Sequence, residues 1–143
     1  MIAYEKAVQL LKIRPHHANE LAKKLLIRGF NREDVDAVIL KLAELKLIDN
    51  DLFAQNYLEE LLRYKSFGYY GVKAKLMSRG IASNEADNLL KENLTIEKEL
   101  EIAEKVVMRE GRNVKREDKI KLAQKLQRKG FRSEVIRLVI SNK

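Results

Sequence analysis

Three stretches of this chain align with one another without a gap: 20–39 (ELAKKLLIRGFNREDVDAVI), 71–90 (GVKAKLMSRGIASNEADNLL) and 121–140 (KLAQKLQRKGFRSEVIRLVI). Their glycines, Gly29, Gly80 and Gly130, are 51 and 50 residues apart. A period of that length marks a repeat architecture, in which one small supersecondary unit recurs. Eight residues before each glycine stand Leu21, Val72 and Leu122; four before it stand Leu25, Leu76 and Leu126. Phe30, Ile81 and Phe131 follow it directly. An apolar pair at i and i+4, then a large residue just past a turn, describes a helix that packs inward and ends.

The glycine suits the position after a helix, where the backbone turns left-handed and a Cβ costs energy. Asn31, Ser83 and Ser133 come next, with side-chain oxygens suited to cap a following helix. That helix is expected to bury Val35, Ala86 and Ile136, then Val38, Leu89 and Val139, then Ile39, Leu90 and Ile140. A further helix precedes each pair. The first runs from Ala3 to Ile13, with Ala7, Leu10 and Leu11 periodic and Pro15 beyond it as a stop. The second runs from about Asp51 to Tyr64, with Phe53, Ala54, Tyr57, Leu58, Leu61 and Leu62 apolar; the third runs from about Ile96 to Arg109, with Leu100, Ala103, Val106 and Val107. The expected fold is therefore all-α, three tandem three-helix repeats of about nine helices, divided at 1–48, 49–94 and 95–143. Periodicity leaves open whether they form a compact body or an elongated curve.

Composition agrees. One proline and six glycines are too few for the turns of a sandwich or barrel. The chain has no cysteine, which suits a reducing interior. No basic leader and no run of roughly 18 apolar residues appears, so a cytoplasmic protein with no membrane partner is expected. The net charge of +8 is unevenly placed: residues 111–143 hold eleven Lys and Arg against three acids, while residues 1–110 hold eighteen of each. From Leu61 to Asn84, Arg63, Lys65, Lys73, Lys75 and Arg79 meet no acid. Such patches attract phosphate or acidic protein surface over about 8–10 Å; they also serve as plain solvated faces.

Candidates for chemistry are few. His16 and His17 lack metal-site spacing and companions, and His17 stands where a helix begins and can cap it. Asp49, Asn50 and Asp51 lack the glycine and distant glutamate of a calcium loop and read as a helix cap. Gly68 and Gly71 flank Tyr69 and Tyr70 without a phosphate-binding fingerprint, and read as a flexible approach to a helix. No catalytic residue, metal or cofactor is expected.

A basic pair does repeat. Lys24, Lys75 and Lys125 stand five before the glycines, and Arg28, Arg79 and Lys129 one before them. Each pair shares a helix face. In the third repeat Lys121 and Arg128 join within about 100° of arc at 3.6 residues per turn. Cations near a helix C-terminus are also favoured by the macrodipole, by roughly 0.3–1 kcal/mol, an explanation that reaches the last turn but not two turns back. Phe67, Tyr69 and Tyr70 lie among these cations, suited either to stacking or to packing between repeats.

Taken in order, several segments resemble the RecX family of recombination regulators: Arg14-Pro15-His16-His17-Ala18-Asn19-Glu20-Leu21 with Lys24-Leu25 and Arg28-Gly29-Phe30; Leu47-Ile48-Asp49-Asn50-Asp51 with Phe53-Ala54 and Tyr57; Gly68-Tyr69-Tyr70-Gly71-Val72-Lys73 with Lys75-Leu76 and Arg79-Gly80-Ile81; and Leu126 with Arg128-Lys129-Gly130-Phe131 and Ser133. His17 departs from the serine that usually opens the family's second helix, which predicts a weaker start there. The resemblance implies a non-enzymatic monomer that binds the RecA recombinase filament on DNA and inhibits strand exchange and ATP hydrolysis. It implies that the basic faces at Lys24, Arg28, Arg63, Lys65, Lys73, Lys75, Arg79, Lys121, Lys125, Arg128, Lys129 and Arg132 meet recombinase, single- or double-stranded DNA, or both. The charge count points to the third repeat as electrostatic anchor. A helical module binding DNA or RNA directly, without a recombinase, is the alternative.

Overall fold

The structure, a computed structural model, describes the backbone of residues 2–110 and 116–141 and the side chains of 2–110 and 118–141. Arg112, Lys115 and Lys143 of the basic tail lie outside the described residues. Those described form nine α-helices and no strand: α1 (Ala3–Ile13), α2 (Ala18–Ile27), α3 (Arg32–Glu44), α4 (Asn50–Tyr64), α5 (Tyr69–Ser78), α6 (Ser83–Asn93), α7 (Ile96–Arg109), α8 (Arg116–Arg128) and α9 (Ser133–Ser141). They make three tandem three-helix repeats. By contact the chain divides into two compact units: Met1–Tyr57 with Leu76–Ala82, and Leu58–Lys75 with Ser83–Lys143. Among the described residues no helix is long and apolar enough to cross a membrane.

In the first unit one core gathers Ala3, Ala7 and Leu10 of α1, Leu21 and Leu25 of α2, and Val35, Val38 and Leu42 of α3. The spacing of three and four residues along each helix places these side chains on one stripe. Leu21 and Leu25 have no solvent exposure, so truncating either to alanine costs roughly 2–5 kcal/mol.

All three glycine turns close the same way. The residue after glycine donates its N–H back to the leucine four before the glycine: Phe30 to Leu25 at 3.3 Å, Ile81 to Leu76 at 3.2 Å, Phe131 to Leu126 at 3.1 Å. Each glycine N–H reaches the carbonyl three residues back at 3.0 Å, and the glycine φ values are +95°, +95° and +83°. This double closure satisfies helix-end carbonyls and requires the left-handed conformation. A fourth such turn ends α3 on Lys46, at φ +58°, with Leu47 N–H on Leu42 O at 2.9 Å.

Caps follow. Asn31 Oδ1 accepts from Asp34 N–H (2.8 Å) and Asp49 Oδ1 from Leu52 N–H (3.1 Å), so α4 starts at Asn50, one residue early. The weaker start expected for α2 is not found. His17 Nδ1 accepts from Asn19 N–H at 3.0 Å, and Asn50 Oδ1 accepts from Ala18 N–H at 2.8 Å. Two orphan donors are thereby satisfied, one by a residue of α4.

In the second unit α7, α8 and α9 enclose Ala103, Val106, Val107, Leu122, Leu126, Phe131, Val135 and Val139. Here the expected stripe needs correction. α9 buries Val135 and Val139, whereas Ile136 and Ile140 are only half-buried. Leu89 of α6 and Ile39 of α3 are half-buried too. Because α9 carries two adjacent apolar rows, one turns inward and the other lines an open cavity of about 1000 Å³ with Ile120, Ala123 and Tyr70. Gly68 and Gly71 also differ from their reading as a flexible approach. Gly68 N–H donates to Lys129 O (3.0 Å) and Tyr70 N–H to Gly130 O (2.8 Å). A Cβ on Gly68 would overlap the Phe131 backbone, and one on Gly71 the Lys129 carbonyl oxygen. These glycines are needed for close approach, not for looseness.

Candidate partner-binding face

Two joints carry most of the repeated cations, each within one unit. In the first, the start of α2 meets the turn at Gly80. Asn19 Nδ2–H donates to Gly80 O at 2.9 Å, and a Cβ on Gly80 would stand 2.8 Å from Glu20 N. The turn's preceding residue, Arg79, lays its guanidinium 4.8 Å from the centre of the Tyr57 ring, a favourable cation–π distance. On α2, Glu20 takes two hydrogen bonds from Arg14, at 2.9 and 2.5 Å, and lies 3.9 Å from Lys24 Nζ. Burial pushes the Glu20 carboxyl up, but Arg14, His16 and Lys24 together hold it below the ordinary carboxylate value.

Lys24 Nζ also donates to His16 Nε2 at 2.9 Å, while His16 Nδ1 faces the Arg14 carbonyl at 2.9 Å. That pattern fits a neutral imidazole protonated on Nδ1. Burial, outweighing the Arg14 carbonyl, lowers the His16 pKa. The Lys24 ammonium is likewise lowered, first by burial and then by the charges of Arg14, Arg79 and Arg28, which outweigh Glu20. Arg28 is exposed and hydrogen-bonds the Lys24 carbonyl at 3.3 Å.

In the second joint the start of α5 meets the turn at Gly130. Glu99, with no solvent exposure, organises it. Its Oε2 accepts from Tyr69 N–H (2.9 Å) and Arg132 N–H (3.0 Å), and its Oε1 from Arg132 Nε–H (2.5 Å). A carboxylate with this many donors is a compensated buried charge. Phe67 sits beside the joint, with Lys75 Nζ 5.4 Å and Lys129 Nζ 5.7 Å from its ring centre.

The remaining expected residues separate into engaged and open ones. Lys73 pairs with Asp87 at 3.0 Å, and Asp87 also accepts from Tyr69 Oη–H at 2.9 Å. Lys73 first, then Tyr69, draws the Asp87 carboxyl down; burial and Asp87 push the Tyr69 phenol up. Lys125 pairs with Glu110, and Arg132 with Glu99, its guanidinium also reaching Leu94 O at 3.0 Å and lying 4.7 Å from the Tyr69 ring centre. Lys121 and Arg128 are exposed on α8, and Arg63 and Lys65 at the end of α4. Of the three aromatics, Tyr69 is buried, Phe67 half-buried and Tyr70 exposed. The sequence did not point to Glu99, to Tyr57 as the ring beneath Arg79, or to the role of His16. Glu99 had a signal: it falls on the stripe Ile96, Ala103 and Val106 of α7, an acid at a core position.

The family model described as "RecX, first three-helix domain" matches residues 3–42. The crystal structure of RecX from Lactobacillus salivarius superposes with a TM-score of 0.79 at 26% identity, covering 98% of this chain and 93% of that one. A second crystal structure, of regulatory protein RecX, superposes at 0.82 with 27% identity, over 99% of this chain and 72% of the other. Along nearly its whole length the chain resembles proteins of the RecX family. RecX relatives named regulatory proteins agree: that of Chlorobium limicola is 37% identical over 86 residues, 60% of this chain and 54% of its own. That of Lactococcus lactis subsp. cremoris is 28% identical over 142 residues, 95% of this chain and 53% of its own. The chain thus spans about half the length of these curated RecX proteins.

Proposed function

We propose that this chain is a regulatory protein that binds the RecA recombinase filament on DNA, inhibiting strand exchange and the accompanying ATP hydrolysis and so modulating recombination and repair. The observation that carries this reading is the superposition on regulatory protein RecX along 99% of the chain. On this reading the chain works in the cytoplasm as a monomer, without catalysis or a cofactor, in the repeats 1–48, 49–94 and 95–143. The regulatory names of its relatives support the non-catalytic part. Its basic side chains supply on-rate and orientation, less charged ones specificity.

The test is a titration of the chain into recombinase-coated single-stranded DNA with ATP turnover as readout. Turnover is expected to fall at near-equal or lower ratios to recombinase; no inhibition anywhere in the titration would sink the reading. Equal affinity for naked and coated DNA, with a steep salt slope, would instead make the chain a direct nucleic-acid-binding module.

A further inference from the structure

The sequence placed each repeat's two cations on one helix face, but the folded chain brings together cations of successive repeats. The Gly80 turn docks on Asn19 and Glu20 at the start of α2, and the charge of Arg79 acts on the Lys24 ammonium one turn further along that helix. The docking of the Gly130 turn on Gly68 and Gly71 sets Lys129 over the ring that also receives Lys75. The rule is the same in both units: the residue five before one glycine comes within reach of the charge of the residue one before the next. An aromatic ring holds a cation at each, Tyr57 with Arg79 and Phe67 with both lysines.

Negative charge is scarce at both places. At the first, Glu20 is occupied by Arg14; the Lys24 ammonium, lowered first by burial, is lowered further by Arg14, Arg79 and Arg28. At the second, the segment from Leu61 to Asn84 carries no acid, and the buried Glu99 is taken up by Arg132 and two backbone N–H groups. Gathering like charges is unfavourable unless an anion completes the arrangement. Protein–protein interfaces are depleted in lysine, which supplies three of the four cations here, Lys24, Lys75 and Lys129. A sugar–phosphate backbone needs only positioned donors. Its identical, regularly repeated charges also match chemistry that recurs once per joint.

We propose that each joint is a phosphate cradle for a nucleic-acid backbone, formed by Lys24 with Arg79 in the first unit and by Lys75 with Lys129 in the second. This rests on the filament reading and deepens it by saying which ligand the repeated cations take. Arg28 and Lys125 are the pair members left outside the joints, Lys125 against Glu110.

The test measures binding of labelled single-stranded and duplex oligonucleotides without recombinase, as a function of salt. Three double variants are compared with the wild type: Lys24→Gln with Arg79→Gln, Lys75→Gln with Lys129→Gln, and, as a control of equal charge loss, Lys98→Gln with Lys105→Gln on the exposed side of α7. Each joint variant is expected to weaken binding several-fold. Because each removes two phosphate partners, the salt slope should fall by about 1.4 on a single strand or about 1.8 on a duplex. The control should leave the slope within a few tenths. Circular dichroism and melting establish that each variant is folded. Equal effects of control and joint variants would reduce the cradles to bulk charge and overturn the proposal. So would a wild type that binds neither oligonucleotide, or joint variants that lose filament inhibition with oligonucleotide binding intact, which would assign the cations to acidic protein surface. Inhibition by the wild type is measured separately, so the filament reading stands or falls independently.

Discussion

The two joints start from the same glycine turn and reach different solutions. At Gly80 the approaching helix offers a side chain: the Asn19 amide spans the gap to the turn's carbonyl. At Gly130 it offers backbone, with Gly68 and Gly71 pressed onto Lys129, Gly130 and Phe131, and the buried Glu99 collecting the N–H groups left over. A side-chain bridge tolerates adjustment, whereas backbone on backbone does not. The second joint should therefore be brittle and the first forgiving.

Removing Glu99 should show the largest difference. Glu99→Ala strips Tyr69 N–H, Arg132 N–H and the Arg132 guanidinium of their acceptor, and breaking such a buried pair costs roughly 3–5 kcal/mol. Urea denaturation measures it; a loss below about 1 kcal/mol would mean that water replaces the carboxylate and that the joint is not brittle. Gly71→Ala comes next, at about 3 kcal/mol, because the new methyl meets a carbonyl that the α8 turn cannot move. Its natural comparison is Gly29→Ala, where no described atom lies within 4 Å of the new Cβ and only the positive φ opposes it, at roughly 1–2 kcal/mol. Equal melting points for these two variants would remove close approach as the cause.

Asn19→Ala tests the forgiving side. It deletes one partly exposed hydrogen bond, worth about 1 kcal/mol, and hydrogen exchange near Gly80 should quicken while that near Gly130 holds. The smallest effect concerns pH. His16 has a folded pKa below its ordinary value, so its contribution to stability is complete above about pH 6.5. It is lost as pH falls from there through the folded pKa, because the unfolded chain takes up the proton first. Both histidines lie in the first unit. Exchange protection should thus decline there as the pH falls below about 6.5 and stay level in the second unit; parallel decline in both would contradict the assignment.

The helices and turns were legible because each rests on local chemistry. Gly29, Gly80 and Gly130 advertise their left-handed conformation, and Leu21, Leu25, Leu122 and Leu126 their inward face. On α9 the expectation holds for Val139 but not for Ile136 and Ile140: Val135, Ile136, Val139 and Ile140 are all apolar, and only the position of α7 selects which pair turns in. The joints were not legible. Gly68 and Gly71 look like any loop glycines until Lys129 is found against them, and the convergence of Lys24 with Arg79 follows from which turn docks where. Asn50 shows the same limit: its expected duty was to start its own helix, but it caps α2.

The pairing of residues 68–71 with 129–131 also bears on how the protein is born. The partners are about 60 residues apart, so the first turn of α5 leaves the ribosome with its N–H groups facing water. At roughly 5–20 residues per second, the carbonyls that will receive them arrive some 3–12 seconds later. Until then Gly68 and Gly71 have nothing to press against, and the second repeat waits, incompletely folded, for the third.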